Sequence, residues 1–333
     1  MRLQKLQVRS VMAETPDTVF IELGGPQPSG RVDYQPGQYL TVKIPHASGT
    51  IFRCYSVSTS PYEGLPPAIL VRRVEDGLGS NWIADNLKAG ATIEVLPAAG
   101  AFVPADLNRD FLLYAGGSGI TPVLSILKSA LIRGSGKVRL VYANRAAEYV
   151  ARGQEIDAWV KRYPERLSVV HWLDAERGFP SVSDLADMGS GFAGADCFIC
   201  GPEPYMRAAE TAAKDIGVAE DRCHLELFEL GAGETESVAP SGEMVSMTVD
   251  IGGSLIDVEC GRDEHLLDCM LREGLNAPNS CRAGNCAACM CELVEGNVNL
   301  GENSVLDEDD IADGWVLACR SKPESEKLTV KFP

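Results

Sequence analysis

The amino-acid sequence predicts a multidomain chain: an all-β barrel, then an α/β domain with a parallel sheet, then a small β-grasp module. Three observations carry this. Apolar runs of period two, separated by Gly, Pro and Asp turns, fill residues 1–105; strand–helix alternation takes over across 106–230; and a new ββα pattern begins after a Gly/Ser/Pro/Glu-rich tract at 231–243. With 333 residues the chain is also too long for one ordinary core.

In the first module LQVRSV, TVFIEL, QYLTVKI, AILVRRV and ATIEVL read as strands. NWIADNL reads as a helix opened by Gly79, Ser80, Asn81 and Trp82. In the second, FLLYA, VRLVYA, SVVHWL and DCFIC are buried-type strands. TPVLSILKSALIRG is a helix, with Thr121 as the expected N-cap, Pro122 in the first helical position and Gly134 near the end. The tract 231–243 lacks apolar periodicity and reads as a linker. Beyond it, VSMTVDI and SLIDVEC flank a Gly252-Gly253 turn, DEHLLDCMLREG is an amphipathic helix ending at Gly274, and CELVEG and LTVKF supply further strands. The module at 244–333 is therefore led by a ββα unit, as a β-grasp fold requires.

The composition is globular, 45% hydrophobic and 23% charged, with a net charge of −17. That charge argues against nucleic acid or an anionic membrane as partner. Residues 244–333 alone hold 17 acidic against 7 basic residues, which suits docking to a basic protein surface as well as plain solubility. MRLQKLQVRS has no apolar signal core, and no run reaches the roughly 18 apolar residues of a membrane span. A cytoplasmic monomer is expected. There, eleven cysteines read as metal ligands or buried thiols, and five of them fall between Cys269 and Cys291.

Cys281, Cys286 and Cys289 form C-x4-C-x2-C, and Cys319 in VLACRS completes a plant-type 2Fe–2S ligand set. The residues between them, including Ala283, Gly284, Asn285, Ala287 and Ala288, are small enough to turn backbone N–H groups toward cluster sulfurs. A zinc site would more typically show paired C-x2-C units or histidines, and His265 lies outside the loop. Cys291 begins the following strand and reads as structural.

Three further motifs concern nucleotides. In RCYSVSTSP, alternate residues of a strand place Arg53 and Tyr55 on one side, a cation for a diphosphate and a ring to stack on a flavin, while the Ser56 hydroxyl suits a flavin ring nitrogen. The helix opening at Gly79, Ser80 and Asn81 offers N–H groups to a pyrophosphate. Gly116-Gly117-Ser118-Gly119-Ile120-Thr121-Pro122 joins a strand to a helix, so backbone can approach a dinucleotide there. Cys200-Gly201-Pro202 follows DCFIC at a strand's C-terminal end, where α/β sheets bind ligands. Cys197, three residues before Cys200, points to the opposite face and reads as core. His46, His171, His224 and His265 match no metal or catalytic spacing.

The order of these motifs resembles the ferredoxin–NADP reductase superfamily, and within it the oxygenase reductase components with a C-terminal 2Fe–2S domain. RCYSVSTSP resembles its flavin motif, AGGSGITP and CGP its nicotinamide loops, and the resemblance spans the chain. GSNWIADNLKAGATIEVLPAAGAF resembles the 3-ketosteroid 9α-hydroxylase reductase and phenylacetyl-CoA epoxidase reductase branch. The phthalate dioxygenase reductase branch uses FMN and resembles G-G-S-x-S-F where this chain has Gly77-Leu78-Gly79-Ser80-Asn81-Trp82, so FAD is expected here.

The resemblance implies a Greek-key flavin barrel, an NAD(P)-binding domain and a 2Fe–2S domain. It implies hydride transfer from NAD(P)H to FAD, with single electrons then reaching the cluster, because flavin is stable in three redox states. It assigns Arg53, Tyr55, Ser56, Val71, Arg73, Gly79, Ser80 and Asn81 to the flavin. Gly117, Ser118, Gly119, Thr121, Cys200, Gly201 and Pro202 go to the nicotinamide side, and Phe228 or Glu229 in HLELFEL closes the flavin pocket. Ser56, Thr121 and Cys200 are the expected catalytic set. NADH is expected, although Arg145 after VRLVYA would also accommodate a 2′-phosphate. The partner implied is a terminal oxygenase with a Rieske iron centre. A stand-alone reductase of quinones or ferric chelates and a redox-sensing protein are the other readings.

Overall fold

The structure is a computed structural model that describes residues 3–25, 32–46, 49–75, 77–228, 243–275, 277–279, 282–284, 286–303 and 305–332. The linker expected over 231–243 and the ligand candidate Cys281 fall outside these, apart from Glu243.

Strands β1 (Gln4–Thr15), β2 (Thr18–Gly24), β3 (Tyr39–His46), β4 (Gly49–Ser56), β5 (Ala68–Arg72) and β6 (Thr92–Val95) form one antiparallel sheet in the order β4-β3-β6-β1-β2-β5. The last strand inserted between the first and third gives the Greek-key crossing. Its two edges meet where Val57 bridges Ile69 and the Ser58 amide donates to Ala68 O at 2.7 Å, so the sheet closes on itself. Period-two alternation sends Leu6, Val8, Ile21, Leu23, Leu40, Val42 and Ile44 into the barrel, where all are fully buried. Helix α1 (Leu78–Asn86) packs Ile83 onto this core. It starts three residues earlier than NWIADNL suggested.

The second sheet contains β7 (Phe111–Gly116), β8 (Val138–Asn144), β9 (Leu167–Leu173), β10 (Asp196–Cys200) and β11 (Cys223–Glu226), all parallel, in the order β11-β10-β7-β8-β9. Helices α2 (Ile120–Arg133), α3 (Gly153–Arg162), α4 (Asp174–Arg177), α5 (Val182–Gly189) and α6 (Glu203–Asp215) connect them. The chain moves outward from β7 in one direction and then returns to add β10 on its other side. That switch point opens a crevice at the strands' C-terminal ends. Thr121 is not the N-cap of α2. A 3₁₀ turn over Gly117–Gly119 has already begun the winding, so Gly119 caps the helix and Thr121 sits inside its first turn.

The third unit has β12 (Met244–Ile251), β13 (Ser254–Gly261), α7 (Leu266–Arg272), β14 (Met290–Glu295), β15 (Val298–Leu300), α8 (Glu308–Ala312), β16 (Trp315–Leu317), β17 (Ser321–Pro323) and β18 (Lys327–Lys331). Its main sheet runs β13-β12-β18-β14-β16, with β12 and β18 parallel, and α7 lies across it. Gly252 and Gly253 have φ of 61° and 85°, both positive as a two-residue type I′ turn requires. Gly274, at φ 78°, ends α7 in a Schellman motif: its amide donates to Leu271 O and that of Leu275 to Met270 O. The sequence reading lacked β15, β16, β17 and α8, which are too short for a periodic signal.

One buried charge network joins the first two units. Lys128 of α2 is 1% exposed, and its Nζ lies 3.0 Å from both Glu63 of the barrel and Glu155 of α3. Arg152 extends the chain of charges from Glu155 to Glu14 on β1. Ser125 Oγ donates to Thr59 O at 2.7 Å, and Ser60 bonds Ser129 at 2.7 Å beside it. Lys128→Met leaves Glu63 buried without its cation beside Glu155, which keeps only Arg152. The expected cost is about 3–5 kcal/mol, read as a lowered midpoint for the first two units in calorimetry.

Candidate functional site

The site is organised around β4. Arg53 pairs with Val42 and Tyr55 with Leu40, so both lie on the side of the barrel interior, where α1 covers them. A Cβ on Gly79 would stand 2.7 Å from Arg53 Cγ and 3.3 Å from the Tyr55 hydroxyl, so a glycine is required for α1 to begin there. Burial pushes the Tyr55 phenol well above its usual range, and the ring is neutral. The intervening residues face the other way. Phe52 and Cys54 pack with Tyr39 against Cys286 and Ala288 of the cysteine loop, and Thr41 Oγ1 donates to Cys286 O at 2.9 Å.

The side chains of Ser80 and Asn81 are engaged with the preceding loop: Val74 N donates to Ser80 Oγ, and Asn81 Nδ2 donates to Val74 O. Their backbone lies in the first helical turn, where the Asn81 amide already donates to Gly77 O. Val71 is wholly buried in the barrel core, and Arg73 pairs with Asp85 on α1. Arg72, which the sequence reading passed over, lines the crevice beside Gly117.

At the switch point two glycine loops touch. A Cβ on Gly119 would lie 2.1 Å from Cys200 O, one on Gly116 2.9 Å from Pro202 Cδ, and one on Gly201 3.0 Å from Gly116 Cα. Only backbone without side chains permits this approach, and it brings Gly117 and Ser118 beside Cys200, Gly201 and Pro202. Thr121 is 2% exposed and donates its hydroxyl to Ser118 O at 2.8 Å, which tightens the turn. Cys197 and Cys200 lie in separate cores on opposite faces of β10.

Glu226 completes this junction, and the sequence reading missed it. It pairs with Cys200 across β10 and β11, and Ser56 Oγ donates to its Oε2 at 3.5 Å. Ser56, Cys200 and Glu226 thus converge from the barrel and two strands of the second sheet. Burial of the half-buried Glu226 raises its pKa to about 8. Burial and the nearby Glu226 push the Cys200 thiol well above its ordinary value. Phe228 stands half-exposed two residues on, and Glu229 lies outside the described residues. The signal for Glu226 was strand parity in HLELFEL, which is readable only once β11 is known to lie beside β10.

In the cysteine loop the structure brings Cys286, Cys289 and Cys319 together, all buried. Ala288 N donates to Cys286 Sγ and Cys319 N to Cys289 Sγ, each at 3.4 Å. The Cys289 thiol is pushed well up by its hydrogen bond with Cys319 and by burial. Arg282 and Ala287 have φ of 50° and 55°, conformations that non-glycine residues rarely hold unless a loop is bent around something. Sulfur donors, inward amides and a wound loop all fit an iron–sulfur cluster. Cys291 is fully buried in the sheet core, with its pKa raised to about 12 by burial. A second group, Cys260, Glu264 and Cys269, is closed by Arg272, which bonds both Glu264 oxygens at 3.0 Å. His171 and His224 pack against the rings of Tyr142 and Phe198.

Comparison with known proteins accords with this arrangement. Residues 5–103 match the oxidoreductase FAD-binding domain, 113–211 the oxidoreductase NAD-binding domain, and 249–324 the 2Fe–2S iron–sulfur cluster binding domain. The class is therefore an NAD(P)H:acceptor oxidoreductase with FAD and a 2Fe–2S cluster. The chain is 40% identical to the ferredoxin reductase component of 3-ketosteroid-9-alpha-monooxygenase from Rhodococcus rhodochrous, over 98% of this chain and 96% of the relative. It is 31% identical to one of the subunits of 1,2-phenylacetyl-CoA epoxidase from Escherichia coli K12, over 98% and 97%. Phthalate dioxygenase reductase has the same fold, with a TM-score of 0.62 at 24% identity over 99% and 98%. The chain belongs to the family of the 3-ketosteroid-9-alpha-monooxygenase ferredoxin reductase component.

Two outcomes follow from the geometry. Cys319→Ser abolishes the visible iron–sulfur absorption, whereas Cys291→Ser retains iron and sulfide; unchanged iron in the first variant contradicts the ligand set. Glu226 titrates near 8 in the fold against about 4.5 when unfolded, so its contribution to stability is complete below pH 4.5 and is lost as pH rises through 8. Glu226→Gln, tested without flavin by urea denaturation at pH 6 and 9, flattens that decline.

Proposed function

We propose that this chain is the electron-delivery component of a multicomponent oxygenase, taking electrons from NAD(P)H and handing them singly to a terminal subunit with a Rieske non-haem iron centre. The observation that carries the reading is the seat of the cysteine loop on β4. Arg53 and Tyr55 face one side of that strand, while Phe52, Cys54 and Thr41 hold Cys286 and Ala288 on the other. Flavin chemistry supplies the conversion between a two-electron hydride and a one-electron cluster.

The residues of the chain do the rest. Gly116, Gly117, Ser118 and Gly119, with Cys200, Gly201 and Pro202, would receive the nicotinamide and diphosphate. Tyr55 would present its neutral ring to the isoalloxazine, and Arg53 its charge to the pyrophosphate. Ser56 and Glu226 offer hydrogen bonds at the junction, and Cys200 lines it without ionising. Cys281, Cys286, Cys289 and Cys319 would hold the cluster. No general base is called for. The names of the relatives support an oxygenase partner, and the net −10 of residues 244–333 suits a basic docking surface on it. Among the described residues no helix is long and apolar enough to cross a membrane, and a cytoplasmic monomer is the simplest form of such a component.

The purified, cofactor-loaded chain is expected to reduce cytochrome c with NADH and to oxidise no organic substrate until a terminal oxygenase is added. Cys319→Ser keeps flavin reduction by NADH and loses cytochrome c reduction. Substrate oxidation by the isolated chain overturns the proposal. Turnover with quinones or ferric chelates that matches the oxygenase-coupled rate favours the stand-alone reductase instead.

A further inference from the structure

Two cysteines of the second sheet belong neither to the cluster loop nor to the glycine loops. Cys223 opens β11, the edge strand, and pairs in register with Cys197 on β10. In a parallel ladder residues in register point to the same face, so the two thiols lie side by side and hydrogen-bond. His224, the next residue, faces the other way and stacks on Phe198 with ring centroids 4.5 Å apart. Cys197 is fully buried in the core that α6 covers, whereas Cys223 is half-buried at its margin.

The arrangement divides attack from resolution. The hydrogen bond from Cys197, aided by the Lys214 ammonium on α6, holds the Cys223 thiol below its ordinary value against burial and Glu210. The Cys197 thiol is pushed well up and keeps its proton. A thiolate is the nucleophile, and oxidant-responsive cysteines combine thiolate character, access and a second thiol within reach. Cys260 and Cys269 also hydrogen-bond to each other, but both are fully buried, out of reach of a dissolved oxidant.

We propose that Cys223 and Cys197 form a hydrogen peroxide-reactive site that closes reversibly as a disulfide between β10 and β11. The Cys223 thiolate attacks one peroxide oxygen; the O–O bond breaks, and the departing hydroxide takes a proton to leave as water. The Cys197 sulfur then attacks the resulting sulfenic sulfur. The S–S bond forms, the S–O bond breaks, and a second water leaves with the Cys197 proton, so two thiols supply the two electrons that reduce one peroxide. Neighbouring strands lie about 4.8 Å apart, whereas the Cβ atoms of a disulfide lie about 3.8 Å apart. Closing the bridge draws the strands together, and β11, a four-residue strand bonded on one side only, is the one that shifts. Glu226 rides on β11, in register with Cys200 and bonded to Ser56, so the shift reaches their junction.

The test treats the cofactor-loaded chain with a small excess of hydrogen peroxide and maps its thiols by alkylation and tandem mass spectrometry. The wild type is expected to yield a Cys197–Cys223 cross-linked peptide that dithiothreitol reopens, with iron content unchanged. Cys197→Ser is expected to leave the sulfenic acid unresolved, seen as a dimedone adduct on Cys223 without a cross-link. Cys223→Ser, at the half-buried position, is expected to give neither. Flavin reduction by NADH, which precedes the cluster, is expected to slow at least about threefold in the cross-linked wild type and to recover with dithiothreitol. In Cys223→Ser peroxide is expected to leave that rate unchanged. Free alkylation of both thiols after peroxide, or a cross-link from Cys223 to any other cysteine, overturns the site. A cross-linked chain that reduces flavin at the untreated rate overturns its coupling to the junction. The mapping uses no nucleotide, so failure of NADH to reduce the untreated protein overturns the donor reading while the peptide map still decides the site.

Discussion

A β-strand turns successive side chains to opposite sides, and in β4 that constraint organises the candidate site. Because Arg53 and Tyr55 alternate with Phe52 and Cys54, one strand serves two neighbours. Its inward residues meet α1, with Arg53 also donating to Asn279 O, and its outward residues meet the cysteine loop. A single-residue slip of β4 against β3 would exchange the two sets and leave Cys286 facing a guanidinium. The barrel's closure at Val57 and Ile69 and its eight-residue register with β3 prevent such a slip.

A second constraint governs the approach of the nucleotide unit. Lys128 is buried in α2, an expensive placement that Glu63 and Glu155 make tolerable. Such a network adds little net stability over apolar packing. It does resist sliding, because any shift breaks charge pairs that no water can replace. The consequence is felt at the junction, where Ser56 from the barrel meets Glu226 from the second sheet at 3.5 Å. The close glycine contacts between the loops after β7 and β10 are set within the second sheet, where those strands pair directly.

Burial of polar groups recurs through the site with different outcomes. Glu226 and Cys200 are held neutral beside the glycine loops, the Cys289 thiol is pushed up beside Cys319, and Asp174 presents an unpaired Oδ1 to the crevice. Only Oδ1 of Asp174 departs among these from the rule that buried polar groups find partners within the protein.

The sequence by itself determined the three modules, the ligand candidates and the flavin and nicotinamide motifs. Period-two and strand–helix patterns, cysteine spacing and glycine runs are local properties that survive in one dimension. It placed the Gly252-Gly253 hairpin and the end of α7 at Gly274, where a positive φ leaves few alternatives. Only the tertiary structure decided that Gly119 rather than Thr121 caps α2, that Arg72 lines the crevice, and that Glu226 belongs beside Ser56. The same holds for Arg145, whose charge looked available in the sequence and is bound to Asp17, 128 residues away. These outcomes depend on which strands become neighbours and which charges are thereby paired, and such long-range contacts leave no periodic trace in the chain.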